Sequence, residues 1–254
     1  MSRIAGKTAL VTGANRGIGR AFVEELLDVG AAKVYAAARD PETLTDLVAS
    51  GAGRIVPVAL DVTKPEMIEA AAVDHTDVSL LINNAGMAAF EGIIDAANGD
   101  PARDEMEVNY FGTFNMIRAF APVLATNGGG AIVNLSSIAA YVNFPALGSY
   151  SASKAAVHSL TQGVRAELAA QGTLVAGVYP GPVDTDMATG IAMDKTSPNA
   201  VARTILAGVE AGEEDIYPDP VSVEMRAGLL ADPKAVERQA GEMLRGDRGP
   251  GGPA

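Results

Sequence analysis

The sequence predicts a doubly wound α/β fold, a mostly parallel seven-stranded sheet with helices on both faces. Three observations carry that prediction. Short runs that are apolar almost throughout recur along the chain, and such runs suit strands buried on both faces. Longer segments with helical periodicity stand between them, so the pattern alternates strand and helix. No composition break and no repeat of ~20–50 residues divides the chain, so residues 1–245 read as one domain.

The first strand is TALVT (8–12), followed by a glycine-rich turn and the helical pattern RAFVEELLDVG (20–30). KVYAAA (33–38) and RIVPVAL (54–60) follow as the second and third strands. After the short helical segment within KPEMIEAAAVDHTD (64–77) comes the fourth strand, VSLLIN (78–83). AIVNLS (131–136) is the fifth, LVAGVYP (174–180) the sixth, and a short DIYP (215–218) the seventh. Between the fifth and sixth lies the helix YSASKAAVHSLTQGVRAELAAQG (150–172), which Gly172 caps at its end. The tail GDRGPGGPA (246–254) is rich in Gly and Pro and is expected to be disordered.

Composition excludes several classes of chemistry. There is no cysteine, which removes disulfides, zinc–thiolate sites and a cysteine nucleophile. The two histidines, His75 and His158, lack a second ligand at metal-binding spacing, so no metal is expected. A net charge of −12 disfavours nucleic-acid partners. No apolar run approaches the ~18 residues of a membrane span, and the N-terminus carries no signal-peptide pattern, so a cytoplasmic protein without membrane contact is expected.

TGANRGIG (12–19) joins the first strand to the first helix. Its glycines, Gly13, Gly17 and Gly19, allow a tight turn and a close approach of backbone to a pyrophosphate at the helix N-terminus. Three residues separate the first two glycines, a spacing unlike GxGxxG.

This TGxxxGIG pattern resembles the short-chain dehydrogenase/reductase family, and the resemblance continues down nearly the whole chain. Asp61-Val62 ends the third strand, NNAG (83–86) follows the fourth, and Asn109 sits in the next long helix. Ser136-Ser137 closes the fifth strand, YSASK begins 13 residues after Ser137, and PGPVDTDM (180–187) follows the sixth. The resemblance implies a Rossmann-like fold and a nicotinamide cofactor. It implies Asn109, Ser137, Tyr150 and Lys154 as the catalytic set. It also implies cofactor contacts from Gly13, Asn15, Arg16, Gly17, Ile18 and Gly19, from Asp61, Val62, Asn83, Ala85 and Gly86, from Tyr150 and Lys154, and from Pro180, Gly181, Val183 and Thr185. Relatives are mostly homotetramers or dimers, and Ala152, Ala155 and Ala156 would allow close helix packing.

In this family the tyrosine exchanges a proton with the substrate oxygen while hydride moves to or from nicotinamide. A free phenol, with pKa near ~10, is a poor base at neutral pH. Lys154 stands one helical turn on. A cation ~5 Å away at an effective dielectric of ~20 would favour phenolate by roughly 3 kcal/mol, about two pKa units. Ser137 matches the serine that binds the substrate oxygen, with Ser136 as the spare candidate. Asn109 matches the asparagine that holds a relay water, and it could equally mend a helix kink.

NADP(H) is the expected cofactor. A preference for NAD usually places an acidic residue at the end of the second strand. Ala38 stands there instead, with Arg39 next to it and Arg16 in the glycine turn, both able to face a 2′-phosphate. Asp40 precedes Pro41 and reads as a helix N-cap.

Met87, Phe90, Tyr141, Val142, Phe144, Leu147 and Met187, with Met193 beside them, are the expected pocket residues, and they favour an apolar ketone or secondary alcohol. Relative to the family, the stretch between Asp61 and Asn83 is short, Ala140 replaces a frequent glycine, and the segment ATGIAMDKTSPNA (188–200) makes a short lid over an open pocket. The leading expectation is an NADP(H)-dependent carbonyl reductase or alcohol dehydrogenase for hydrophobic ketones, bulky ones included. The alternatives are a 3-oxoacyl-thioester reductase and a nucleotide-sensing protein without catalysis.

Overall fold

Every residue of β1 (Thr8–Thr12) beyond the first is buried, because helices cover it on both sides. The computed structural model describes residues 2–94, 96, 99–189 and 193–247, with side chains through residue 242. Of the tail expected to be disordered (246–254), Gly246 and Asp247 are helical instead, and 248–254 lie outside the described residues, as do positions 190–192 of the expected lid.

Among the described residues, β1 joins β2 (Lys33–Ala38), β3 (Ile55–Ala59), β4 (Leu80–Asn83), β5 (Ala131–Leu135), β6 (Leu174–Val178) and β7 (Asp215–Ile216) in one parallel sheet. Their spatial order is β3-β2-β1-β4-β5-β6-β7. The chain winds outward from β1 to β3 and then returns to β4 on the other side. That reversal opens a crevice at the carboxyl ends of β1 and β4, the place where such sheets bind ligands.

Side-chain alternation splits the core into two layers. Ala9 and Val11 pack with Phe22 and Leu26 of α1 (Gly17–Asp28) and with Val201 and Ile205 of α7 (Pro198–Ala211). Leu10 faces the other way, toward Ile68 of α3 (Pro65–Asp74), Phe120 of α5 (Thr113–Thr126) and Val164 of α6 (Gly148–Leu168). A short α2 (Thr45–Ser50) stands between β2 and β3, and α8 (Pro220–Ala231) and α9 (Pro233–Asp247) close the chain.

All seven expected strands form, but several are one or two residues shorter at one or both ends. The chain leaves the sheet early in order to build loops, and Leu60 still donates to Ala38 O at 2.9 Å beyond the end of β3. Asp40 is the cap expected of it, accepting from the Glu42 amide at 3.0 Å. Gly172 closes the helical segment at φ +74°, a left-handed conformation that glycine adopts without strain. The short stretch after Asp61 yields the ten-residue α3, which ends where His75 stacks on Tyr35.

One feature is absent from the sequence pattern. The helix between β4 and β5 starts as α4 (Asp100–Glu105) and widens into a π-helical stretch, Met106–Gly112, before continuing as α5. Asn109 sits in the middle of that wide turn.

Candidate active site

The glycine turn is stitched to the loop after β4. Thr12 Oγ1 accepts from the Asn84 and Ala85 amides at 3.0 Å each, and Asn84 Nδ2 donates to Thr12 O at 2.9 Å and to Gly13 O at 3.2 Å. Gly13 and Gly17 hold φ of +65° and +53°. A Cβ on Gly19 would lie 2.1 Å from Gly13 O, so nothing larger fits there. α1 begins without a side-chain cap and without an acidic residue in its first turn. Its first amides and the positive end of its dipole therefore remain available to an anion, which is what a pyrophosphate needs.

Asn15, Arg16, Gly17 and Thr185 line a cleft over this helix start, joined by Asp186. Ile18 packs inward against the core, and Val183 is buried. Across the crevice, the Gly181 amide donates to Asp219 Oδ2 at 2.8 Å, and Pro180 O accepts from Ile138 N at 3.1 Å. At the carboxyl end of β2, Ala38 is buried and Arg39 exposed. Burial pushes the Asp61 carboxyl upward, but hydrogen bonds from Thr63 and the charge of Arg39 outweigh it and hold the group below its usual value. Val62 is buried against Gly112. Arg16 pairs with Asp186 at 3.3 Å. Both side chains are well exposed, so the pair is worth ~0–1 kcal/mol and does not hold Arg16 from another anion.

The catalytic candidates come together from α6, the turn after β5 and the wide helical turn that carries Asn109. Lys154 is buried and its Nζ donates to Leu135 O at 2.7 Å, standing 5.6 Å from the centre of the Tyr150 ring. The Ser137 hydroxyl donates to Pro180 O at 3.4 Å and accepts from the Ala139 amide at 3.1 Å, and it acts on the Tyr150 phenol, drawing its pKa down. Ser136 Oγ instead donates to Lys154 O at 2.9 Å, which makes it a brace for α6 rather than a spare catalytic group. Asn109 clamps Met87 from both sides: its Oδ1 accepts from the Met87 amide at 2.9 Å and its Nδ2 donates to Met87 O at 3.0 Å. The same Nδ2 donates to Ser153 Oγ at 2.9 Å. A Cβ on Gly86 would meet Asn109 Oδ1 at 3.1 Å and Lys154 Nζ at 3.4 Å, so that glycine keeps the loop and the lysine close.

The expected lowering of the Tyr150 phenol by Lys154 is not what the protein alone shows. Burial pushes the phenol up to about 12, Ser137 opposes that, and the Glu105 carboxylate adds to it. Burial likewise pushes Lys154 down to about 8. Desolvation disfavours both charged forms and is the leading cause at each.

Two of the expected site side chains are engaged within the fold. The Asn83 side chain donates to Asn134 Oδ1 at 2.9 Å between β4 and β5, turned into the sheet. Tyr141 is drawn away with His158, Tyr179 and Tyr217 into an aromatic cluster, its hydroxyl 3.0 Å from that of Tyr217. Val142 is buried, Phe144 and Leu147 are half-buried on the turn leading into α6, and Phe90, Met187 and Met193 are exposed. Ala85 and Met87 are half-buried at the crevice.

Residues 7–196 match the family model described as short chain dehydrogenase. The chain belongs to the short-chain dehydrogenase/reductase family. A short chain dehydrogenase from Burkholderia cenocepacia J2315, solved in complex with NADP, is 44% identical, with a TM-score of 0.89 over 94% of this chain and 99% of that one. One from Sphingobium yanoikuyae, in complex with NADPH, is 26% identical, with a TM-score of 0.77 over 89% of this chain and 95% of that one. A galactitol 2-dehydrogenase (L-tagatose-forming) from Cereibacter sphaeroides is 41% identical over 201 residues, which are 73% of this chain and 74% of that protein.

Within this family member, sequence reasoning missed Asn84, Ser153 and Glu105. Asn84 was visible in NNAG but lacks a sequence signal for its reach back to β1. Ser153 lies inside YSASK, where it reads as a small helix residue, yet its hydroxyl links Asn109 to Tyr150 O at 2.8 Å. Glu105 looks like a surface helix charge and is only 1% exposed.

Proposed function

We propose that this enzyme interconverts hydrophobic ketones and secondary alcohols with NADP(H), using Tyr150 as the acid/base group. The observation that carries the reading is the convergence of Ser137, Tyr150, Lys154 and Asn109 beside an uncapped helix start at the switch point of the sheet. NADP in the Burkholderia cenocepacia neighbour supports the cofactor choice. The residues present fit it: the first amides of α1 would hold the pyrophosphate, Arg16 and Arg39 the 2′-phosphate, and Tyr150 with Lys154 the nicotinamide ribose. Bound NADPH supplies the hydride.

Ser137 would donate to the carbonyl oxygen and hold it beside Tyr150. A phenol with its pKa pushed up to about 12 is protonated at neutral pH, so Tyr150 is set to give its proton as that oxygen gains charge. Lys154, at about 8, stays mostly cationic at pH 7 and would replenish the proton. A protonated Tyr150 suits the proton-donating, carbonyl-reducing half of the reaction. The apolar surfaces of Met87, Val142, Phe144 and Leu147 favour a ketone over a polyol. A cytoplasmic homotetramer or homodimer is the expected working form.

Absorbance at 340 nm tests the reading. NADPH with a panel of small and aryl ketones should turn over, faster than with NADH, than with a polyol under oxidising conditions, or than with an acyl thioester. No turnover of any ketone would overturn it, and a clear preference for the thioester would move the substrate class.

A further inference from the structure

Glu105 is almost fully buried at the end of α4, one turn before Asn109. Its Oε1 accepts from the Ala89 amide at 2.7 Å, and its Oε2 is buried without a partner among the described residues. A carboxylate so placed is costly, since burial of an unpaired polar oxygen disfavours it. The contact it makes is with the loop after NNAG, two residues beyond the Met87 that Asn109 clamps. Phe90 follows at once, with φ of +56°, a conformation that non-glycine residues rarely hold unless their neighbours fix it. Both neighbours are fixed: Ala89 by Glu105, and Glu91 by its carbonyl, which accepts from Gly148 N at 3.1 Å at the start of the Tyr150 helix.

We propose that Glu105 is a positioning residue that sets substrate specificity by pinning Ala89 and thereby holding Phe90 as the outer wall of the ketone pocket. The inference rests on the carbonyl-reductase reading above. One helix thus sets the loop at two alternate residues: Asn109 at Met87, close to Lys154, and Glu105 at Ala89, beside the exposed ring of Phe90.

Two variants separate the roles. Glu105→Gln keeps a carbonyl acceptor for Ala89, and Glu105→Leu fills the space without one. Hydrogen exchange in the protein without substrate should quicken about tenfold at the Ala89 amide in Glu105→Leu, with Met87 unchanged, and stay near wild type in Glu105→Gln. In the same Leu variant, KM for a bulky aryl ketone should rise about tenfold over KM for a small aliphatic ketone, with the NADPH affinity unchanged. Phe90→Gly should change that KM ratio in the same direction, and adding Glu105→Leu to it should change the ratio no further. If Glu105→Leu does not fold, fast Ala89 exchange in wild type, or a Phe90→Gly variant with an unaltered ratio, overturns the proposal. So does unchanged Ala89 exchange in Glu105→Leu, a uniform KM rise, or a Gln variant that behaves like Leu. A wild type inactive on every ketone sinks the functional reading, while the exchange measurements still decide the role of Glu105.

Discussion

Around β1 the site is made of backbone, with Gly13, Gly17 and Gly19 shaping a turn whose free amides face the crevice. Around β5 and α6 it is made of buried side chains, where Asn83, Asn134 and Thr161 form one hydrogen-bonded line and Asn109, Ser153, Ser136 and Lys154 brace the other. The two constructions fail differently. A backbone site is damaged by any added atom, because its function is close approach. A side-chain site is damaged by a lost partner, because a buried donor or acceptor left alone costs ~1–3 kcal/mol.

The sharpest way to break the contrast is at Tyr150. Tyr150→Phe removes one oxygen from the side-chain half and should lower kcat by roughly 10²–10⁴-fold. Its melting temperature and its cofactor affinity, read by fluorescence titration, should stay near wild type. Near-normal turnover would remove Tyr150 from the chemistry.

The backbone half is tested by Gly19→Ala, whose new Cβ would press on Gly13 O. Since the obstacle is backbone, stability should fall by about 3 kcal/mol or more, measured by urea unfolding, and cofactor binding should weaken with it. A variant as stable as wild type would show that the turn has slack.

Lys154→Met sharpens the side-chain half through pH. The folded lysine sits at about 8 against an ordinary value of 10.5, so burial of its charge destabilises the fold fully below pH 8. Between pH 8 and pH 10.5 the folded lysine has lost its proton and the unfolded one still holds it, so stability rises with pH. Wild type should therefore gain roughly 3 kcal/mol relative to Lys154→Met across that window. Parallel melting curves for the two proteins would show Lys154 titrating normally. Cofactor affinity should fall in the variant at every pH.

The smallest effect belongs to the rim of the backbone half. Arg16→Ala/Arg39→Ala should cost at least about tenfold in kcat/KM for NADPH, ~1.4 kcal/mol, and leave NADH nearly unchanged. A wild type preferring NADH, or a double variant indifferent to the change, would remove both arginines from cofactor choice.

The backbone half was legible in the sequence for a physical reason. Glycine at a close approach, and apolar runs buried on two faces, leave a mark at each position separately, as Gly13, Gly19 and the strand TALVT do. Asp40 was legible too, because a cap depends on the next two residues alone. The side-chain half was legible only as far as its motif. Ser137, Tyr150 and Lys154 could be named, but not the brace from Ser136 or the hold of Asn84 on β1, which join residues 18 and 71 or 72 positions apart. The contacts of Tyr141 were hidden for the same reason, since its partners Tyr179 and Tyr217 stand just past the ends of β6 and β7, far along the chain. The sign at Tyr150 failed because a pairwise charge argument leaves out desolvation, which packing alone determines.

The wide turn at Met106–Gly112 has a consequence for phase. A regular helix advances each side chain by ~100°, so a helix that must serve two faces can do so only where its periodicity agrees with both. Here the upstream face, with Glu105 and Asn109, addresses a loop, and the downstream face, with Met116, Phe120 and Leu124, addresses the sheet. One surplus residue in the widened turn, closed by Thr113 Oγ1 donating to Asn109 O at 2.7 Å, sets the angular offset between them. The stretch acts as a spline between two shafts, and removing one residue from it would leave a continuous helix whose two ends no longer engage their partners together.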